Sequence, residues 1–374
     1  MNIPLSSPDI TETEIEAVTA VMRTSRLSLG PQLEAFESAF ANYIGVECAA
    51  AVSSGTAGLH LCIRALNIGA GDEVIVPSFT FIAAANVIRY EQASPVFVDI
   101  EEESLNMSPR CVEDAITEKT RAIIVVHTFG RPAEMARLLE IAQRHQLALI
   151  EDACEAIGAE HGNQRVGSFG HAAVFGFYPN KQITTGEGGM VVTRSPKLAE
   201  RIRALRNQGR YQDQDWLQHA EVGYNYRLSE INCALGLAQL KRIHEILRSR
   251  AEAARIYHEL LTGVNGLILP AVTIANGLVS WFVYVIRLDE TFSAAERDKV
   301  LDRLKEAGIG CARYFAPVHL QPSYLAWRSL YKLPVTEAQG CRTIALPFFN
   351  RITKDEVAYV CATLRAAILA LRCA

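Results

Sequence analysis

Short apolar segments that alternate with helical stretches constrain the fold of this chain more than any other feature. The segments 73–76, 96–99 and 122–126 are rich in β-branched residues, and each ends at or just before a polar or turn residue. Between residues 133 and 144 the apolar residues instead recur every three or four positions, as on one face of a helix. Such alternation is typical of a sheet covered by helices. The sequence therefore predicts an α/β fold with a mostly parallel sheet.

Asp152 and Lys181 carry the chemistry that the sequence suggests. Asp152 follows a further predicted strand, residues 147–150, and ligands of open α/β sheets collect at the carboxyl ends of the strands. Lys181 precedes the predicted strand 190–193, so its side chain can reach back over that edge. A lysine amine can form a Schiff base with an aldehyde cofactor, and a carboxylate against a pyridine nitrogen keeps the ring protonated. The pair predicts a site for pyridoxal phosphate.

A phosphate group needs its own site, and the segment 53–61 offers one. Its small residues Ser54, Gly55 and Thr56 open a predicted helix, whose free N–H groups and dipole favour an anion. Such turns are also common as plain helix starts, and a lysine in a glycine-containing loop is usually a solvated charge. The presence of the turn, Asp152 and Lys181 in this order favours the cofactor site.

Composition excludes several classes of protein. The formal net charge of -4 gives no basic excess, which argues against nucleic-acid binding. The first residues lack the regions of a secretory signal and no apolar stretch approaches membrane-spanning length, so a cytoplasmic protein without a membrane partner is predicted. The nine cysteines form no Cys-x-x-Cys pair, which predicts reduced thiols and neither disulfides nor a metal site.

Two domains are predicted, since 374 residues are enough for more than one core. The first, 1–245, is the large cofactor-binding domain, and the second, 246–374, is a smaller α/β domain. An alanine-rich helical pattern from about 229 to 261 would join them. The second domain carries a predicted strand at 282–288 and predicted helices at 294–307 and after Lys354.

A series of short motifs lies in order along nearly the whole chain. They are Ile3-Pro4, Leu29-Gly30-Pro31, Ser54-Gly55-Thr56-Ala57, Pro77-Ser78-Phe79-Thr80-Phe81, Glu151-Asp152-Ala153, Phe177-Tyr178-Pro179-Asn180-Lys181, Gly223-Tyr224-Asn225-Tyr226-Arg227-Leu228-Ser229, Pro317-Val318-His319-Leu320-Gln321-Pro322 and Leu346-Pro347. Together they resemble the DegT/DnrJ/StrS-type sugar aminotransferases. The resemblance implies fold type I of the pyridoxal-phosphate enzymes, the aspartate-aminotransferase-like fold, with a seven-stranded type of sheet.

The resemblance also implies roles for single residues. Lys181 would bind the cofactor covalently and move a proton between the amino donor's α-carbon and the cofactor's C4′ carbon. Asp152 would pair with the pyridinium nitrogen. Phe81 would stack on the ring, with a plain core phenylalanine as the alternative. Because Lys181 is present, the chain does not match the branch of the family that has histidine there and dehydrates or deoxygenates its substrates.

The phosphate contacts implied by the resemblance come from two subunits. Gly55 and Thr56 would hold the phosphate, and Asn225 would reach it from the partner subunit, which implies a homodimer with shared sites. Two positions depart from the common pattern. Gly176 stands where many members have a serine that binds the phosphate. Glu155 stands where many have a glutamine that meets the phenolic oxygen, so carboxylate and phenolate would repel each other unless one holds a proton.

Tyr314, His319 and Arg227 are the candidate substrate contacts. His319 belongs to the Pro-x-His segment that lies near the family's active site, and its alternative is a histidine hydrogen-bonded within a turn. Arg227 could hold a carboxylate or form a salt bridge between subunits.

The expected reaction moves the amino group of L-glutamate to a nucleotide-linked keto-sugar, first of all a 4-keto-6-deoxyhexose. The product would be an amino sugar for polysaccharide or for a glycosylated metabolite. Alternatives are the same reaction on a 3-keto sugar or a keto-cyclitol, a non-catalytic regulator that binds pyridoxal phosphate, and a binding module without cofactor.

Overall fold

The computed structural model describes residues 1–212, 215 and 217–372. Its helices are α1 (Glu12–Met22), α2 (Pro31–Ile44), α3 (Gly55–Ala65), α4 (Ala83–Tyr90), α5 (Pro109–Asp114), α6 (Met135–Arg144), α7 (Pro196–Leu205), α8 (Glu230–Lys241), α9 (Ile243–Leu261), α10 (Ala294–Glu306), α11 (Pro334–Arg342) and α12 (Lys354–Arg372). Its strands are β1 (Cys48–Val52), β2 (Glu73–Pro77), β3 (Ser94–Val98), β4 (Thr120–Val126), β5 (Ala148–Asp152), β6 (Glu160–His161), β7 (Gln164–Arg165), β8 (Ala172–Gly176), β9 (Gly189–Thr193), β10 (Leu267–Ile268), β11 (Gly277–Leu278), β12 (Tyr284–Leu288) and β13 (Thr343–Leu346). Short 3-10 helices cover Thr128–Gly130, Val318–Leu320 and Pro322–Leu330.

A seven-stranded sheet in the order β1-β9-β8-β5-β4-β2-β3 forms the centre of the structure. The strands from β8 to β3 in this order pair in parallel, whereas β9 is antiparallel to both of its neighbours. Its central strands are buried almost throughout, which is the pattern of a sheet covered on both faces. The predicted α/β fold with a mostly parallel sheet is confirmed.

Side-chain alternation along the strands divides the core into two layers. On one face, Val76, Val126 and Ile150 pack with helices α3, α4 and α7. On the other face, Ile75 and Leu149 pack with α6, and the neighbouring part of that face packs with α2 and α8. Burial of a large apolar side chain contributes about 1.5–3 kcal/mol. Because successive residues point to opposite faces, the last residue of β5, Asp152, lies on the α3 face.

A separate apolar cluster forms around β12, β13, α9, α10 and α12. Two parts of the chain pack with the core that is remote from them in sequence. Ile3, near the start of the chain, packs with this second cluster, and Val318 and Tyr324 pack with the α3 face of the main sheet. The predicted boundary at residue 245 falls inside α9. The division into domains 1–245 and 246–374 therefore stays a prediction.

The single helix predicted from about 229 to 261 is wrong, because Arg242 separates α8 from α9. The Arg242 guanidinium contacts the carboxylates of Asp9 at 3.1 Å and of Glu14 at 3.0 Å. The helix is therefore interrupted at the residue that contacts α1 and the segment before it. This long-range contact cannot be predicted from the local spacing of apolar residues.

Across residues 1–212, 215 and 217–372, no helix is long and apolar enough to cross a membrane. The cysteines of this described part are free thiols, and Cys373 lies outside it. The same residues contain no group of three His, Cys, Asp or Glu side chains that could hold a metal ion.

Candidate active site

A cavity of about 660 Å³ opens at the carboxyl ends of the parallel strands. Its walls come from the segments that follow β1, β2, β5 and β8, and on the opposite side from residues 313–316, Val318 and Gln321. Gly55, Thr56, Phe81, Asp152 and Lys181 all line it. The structure therefore brings into one cavity residues that are far apart in the sequence.

Lys181 projects into the cavity from the loop between β8 and β9. Its Nζ lies 3.6 Å from Glu155 Oε1 and 3.9 Å from the centroid of the Phe282 ring. The Lys181 N–H donates to the Tyr178 carbonyl at 2.9 Å, and the Gln182 amide donates to the Glu155 carbonyl at 2.7 Å. These bonds fix the loop, so the amine is held in the cavity by the fold.

Asp152 lies at the end of β5, lines the same cavity and is 9% exposed. Its Oδ1 accepts the N–H of Cys154 at 3.1 Å, which leaves capacity for a further donor, such as a protonated ring nitrogen. The preceding residue, Glu151, points to the other face and accepts the N–H groups of Gly167 at 2.8 Å and Gly170 at 2.9 Å. That buried carboxylate anchors the strand end from which Asp152 projects.

The carboxylate of Glu155 lies between Lys181 and the Phe129 backbone. The Phe129 N–H donates to Glu155 Oε2 at 2.9 Å. Burial raises the pKa of Glu155 above its ordinary value, and the Lys181 cation partly offsets that effect. The upward shift favours the protonated form of Glu155, which would reduce the repulsion expected between this carboxylate and a phenolate.

Two further groups of the cavity are kept neutral by their surroundings. Burial, reinforced by the Asp152 charge, raises the pKa of the Cys154 thiol well above its ordinary value, so this cysteine stays protonated. Burial and the nearby Glu155 raise the pKa of Tyr314, and the Asn180 side chain partly offsets that effect. Tyr314 thus presents a neutral hydroxyl to the cavity.

The N-terminus of α3 forms an anion cradle at one end of the cavity. Ser54 caps the helix by accepting the Ala57 N–H at 3.0 Å. Within the described residues, the N–H groups of Gly55 and Thr56 make no hydrogen bond to the protein. A Cβ atom at Gly55 would lie 2.7 Å from Cys154 Sγ, so a larger residue at this position would have to displace the thiol. Free N–H groups at a helix N-terminus suit a phosphate.

Phe81 is 62% exposed although it is large and apolar, and it lines the cavity. The alternative of a core phenylalanine is therefore wrong, and its open face is suited to stacking on a planar ring. With the Lys181 amine, the Asp152 carboxylate and the α3 cradle, the cavity has the groups that pyridoxal phosphate requires.

His319, a predicted substrate contact, does not reach the cavity. It is 0% exposed, its Nδ1 lies 2.6 Å from Ser78 Oγ, and its Nε2 lies 3.3 Å from Glu337 Oε1. Burial lowers the pKa of His319, partly against the effect of Glu337. These contacts correspond to the alternative of a histidine hydrogen-bonded within the protein, and they correct the prediction of a substrate contact.

Arg227 and Asn225 also lie outside the residues that line the cavity of their own chain. Arg227 Nη1 donates to the side chains of Asn207 at 2.9 Å and Gln208 at 2.8 Å. Asn225 is exposed and pairs with Asn207 through the backbone. Its reach to a partner's phosphate stays a prediction, as does a substrate contact of Arg227.

Sequence reasoning missed several residues of the cavity, among them Phe282, Arg313 and Gln321. Phe282 lies two residues before the start of β12, and its ring lies under the Lys181 amine. Arg313 directly precedes Tyr314, and its charge in a segment already assigned to the site was the signal that could have identified it.

Gly176 and Cys154 compensate for each other in this cavity. A Cβ atom at Gly176 would lie 3.3 Å from Cys154 Sγ, a tight contact, so the thiol occupies space that a serine at 176 would need. We expect Gly176→Ser alone to leave cofactor affinity unchanged or weaker. In a Cys154→Ala background the same serine should tighten binding about tenfold, through a hydrogen bond to the phosphate. Titration of the four proteins with pyridoxal phosphate measures this coupling. Strictly additive effects would contradict it.

Comparison with known proteins identifies the family. The model of the DegT/DnrJ/EryC1/StrS aminotransferase family matches residues 8–365. GDP-perosamine synthase of Caulobacter vibrioides is 40% identical over 364 residues, which cover 97% of each chain. Spore coat polysaccharide biosynthesis protein SpsC of Bacillus subtilis is 37% identical over 367 residues, which cover 95% of this chain and 94% of SpsC.

The fold of solved relatives agrees over the full length. Spr1654 of Streptococcus pneumoniae, in its PMP form, has a TM-score of 0.94 at 28% identity and covers 100% of both chains. This chain therefore belongs to the DegT/DnrJ/EryC1/StrS aminotransferase family and is a pyridoxal-phosphate-dependent enzyme.

Proposed function

We propose that this enzyme transfers the amino group of L-glutamate to the ketone of a nucleotide-linked sugar, a 4-keto-6-deoxyhexose. The observation that carries the proposal is the Lys181 amine, 3.6 Å from the Glu155 carboxylate, in a cavity of about 660 Å³ that Asp152 also lines. The 40% identity to a GDP-perosamine synthase supports a nucleotide-linked sugar as the acceptor.

Pyridoxal phosphate, when bound, supplies an aldehyde carbon that takes up the amino group and a ring that withdraws electrons. The α3 N-terminus would hold its phosphate, and Phe81 would orient its ring. Asp152 keeps the ring nitrogen protonated. Lys181 Nζ takes a proton from the donor's α-carbon and in the second half-reaction gives one to the former ketone carbon. Orientation by the fixed strand ends lowers the entropic cost of both proton transfers.

We also propose that the active enzyme is a homodimer in which Asn225 completes the partner's phosphate site. Its exposure outside its own cavity supports this arrangement. The cytoplasmic location predicted from the sequence stays a prediction.

The acceptor class is tested with holoenzyme and L-glutamate labelled at nitrogen. The acceptors are 4-keto-6-deoxyhexoses linked to GDP, dTDP and UDP, a 3-keto sugar nucleotide and a keto-cyclitol. We expect labelled nitrogen in at least one 4-keto sugar nucleotide, and none with Lys181→Ala. Labelling of the 3-keto sugar or the cyclitol alone would overturn the proposed acceptor. Cofactor binding without transfer to any acceptor would favour the regulator.

A further inference from the structure

The cavity contains a second basic side chain, to which the proposed function assigns no role. Of the described residues that line it, Lys181 and Arg313 are the basic ones, and the acidic ones are Asp152, Glu155 and Glu187. In the proposed reaction Lys181 transfers protons at the reacting carbon. Of these two basic side chains, Arg313 is therefore the one that can bind an anionic group of a substrate. An arginine fork suits carboxylate and phosphate oxygens, to which it can donate two parallel hydrogen bonds.

Arg313 is held in position but stays accessible. Its Nη2 lies 2.7 Å from Asp298 Oδ2, and its side chain is 55% exposed. Asp298 is itself fixed by α10, because its Oδ1 accepts the Nε–H of the buried Arg297 at 2.7 Å. One side of the guanidinium is thus tied to the protein, and its remaining donors can meet a ligand.

The backbone around Arg313 is fixed as well. The Ala312 N–H donates to the Ala345 carbonyl at 3.3 Å, and the Ala345 N–H donates to the Ala312 carbonyl at 2.8 Å. These two hydrogen bonds attach the segment to β13. The next residue, Tyr314, stacks on the Phe129 ring, with the ring centroids 6.4 Å apart. A cation on a pinned segment loses less conformational freedom on binding than one on a free loop.

We propose that Arg313, oriented by Asp298, binds the anionic oxygens of a substrate at the wall of the cavity opposite the parallel strands. This inference rests on the proposed function, in which both substrates carry such a group. The group is either a carboxylate of the amino donor or the diphosphate of the sugar nucleotide.

The two sources are separated by two measurements on the Arg313→Gln holoenzyme. The donor arm measures the rate at which L-glutamate removes the absorption band of the lysine-bound cofactor, as a function of its concentration. The acceptor arm measures inhibition of full turnover by free GDP, dTDP and UDP as probes of diphosphate binding. We expect the apparent dissociation constant to rise about 10- to 100-fold in one arm, the effect of losing hydrogen bonds between charged groups. A rise in the donor arm identifies the carboxylate, and a rise in the acceptor arm the diphosphate.

Three further variants keep the test decisive. Arg313→Lys should recover part of the loss, and Asp298→Asn should give a smaller rise in the same arm because the guanidinium loses its orientation. Arg110→Gln, on the exposed surface of α5, should match the wild type. Thermal unfolding checks that all variants fold. Wild-type affinities in both arms of Arg313→Gln would overturn the inference alone, whereas a wild type that glutamate does not convert would overturn the proposed function and the inference with it.

Discussion

Replacing Lys181 by alanine will reduce amino transfer by about 10⁴-fold or more while the cofactor still binds. The variant loses both the covalent attachment and the group that moves the proton, and each contributes orders of magnitude to the rate. Non-covalent binding should persist, because the α3 N-terminus, Phe81 and Asp152 lie on other segments of the chain. Turnover with L-glutamate and an accepted keto-sugar nucleotide measures the loss, and equilibrium dialysis with pyridoxal phosphate measures the binding.

The matched control for this variant is Lys197→Ala on α7, an exposed lysine outside the cavity. It should keep wild-type turnover. Residual activity of Lys181→Ala within 100-fold of the wild type would mean that another group moves the proton, and the assignment of Lys181 would be wrong.

Changing Asp152 to asparagine will lower turnover by about 10³-fold with little loss of stability. The asparagine side chain has nearly the same shape and can still accept the Cys154 N–H that Oδ1 accepts now. It is neutral, however, and cannot hold a ring nitrogen in its protonated form, so the electron-withdrawing power of the cofactor falls. The magnitude is that of removing one fixed charge from an active site. Steady-state turnover and thermal unfolding are the two measurements.

Asp114→Asn, at an exposed position on α5, serves as the control for the loss of one negative charge. The covalent attachment to Lys181 should survive in Asp152→Asn, so the visible band should remain. A variant with turnover within tenfold of the wild type would contradict the role of Asp152. A variant that unfolds well below the wild-type temperature would instead show that Asp152 is a structural group.

The sequence predicted the sheet edge of the site because its signals are local. The apolar segments are short and end at polar residues, so residues 147–150 already located Asp152, although β5 in fact includes that residue as its last. The helix predicted at 294–307 matches α10 within one residue. The strands β1 and β8 were not predicted, since Cys48–Val52 and Ala172–Gly176 are rich in alanine, a residue that favours helices.

The opposite wall of the cavity depends on contacts that no local pattern contains. Phe282 and Arg313 lie more than 100 residues beyond Lys181, and only the packing of the second core against the first brings them to it. His319 shows the converse case. Its motif suggested a substrate contact, but its Nδ1 is hydrogen-bonded to the hydroxyl of Ser78, which is 241 residues away in the sequence. The tertiary partner of a polar side chain decides its role, and the sequence does not give that partner.

The central claim is that Lys181 and Asp152 operate one amino-transfer site, and the visible absorption spectrum tests it most directly. Purified protein is given pyridoxal phosphate, and the spectrum is recorded before and after L-glutamate is added, with Lys181→Ala alongside. The expected result is a band of lysine-bound cofactor in the wild type, which glutamate removes, and no such cycle in the variant. A wild type that forms no such band, or whose band glutamate leaves unchanged, would contradict the claim.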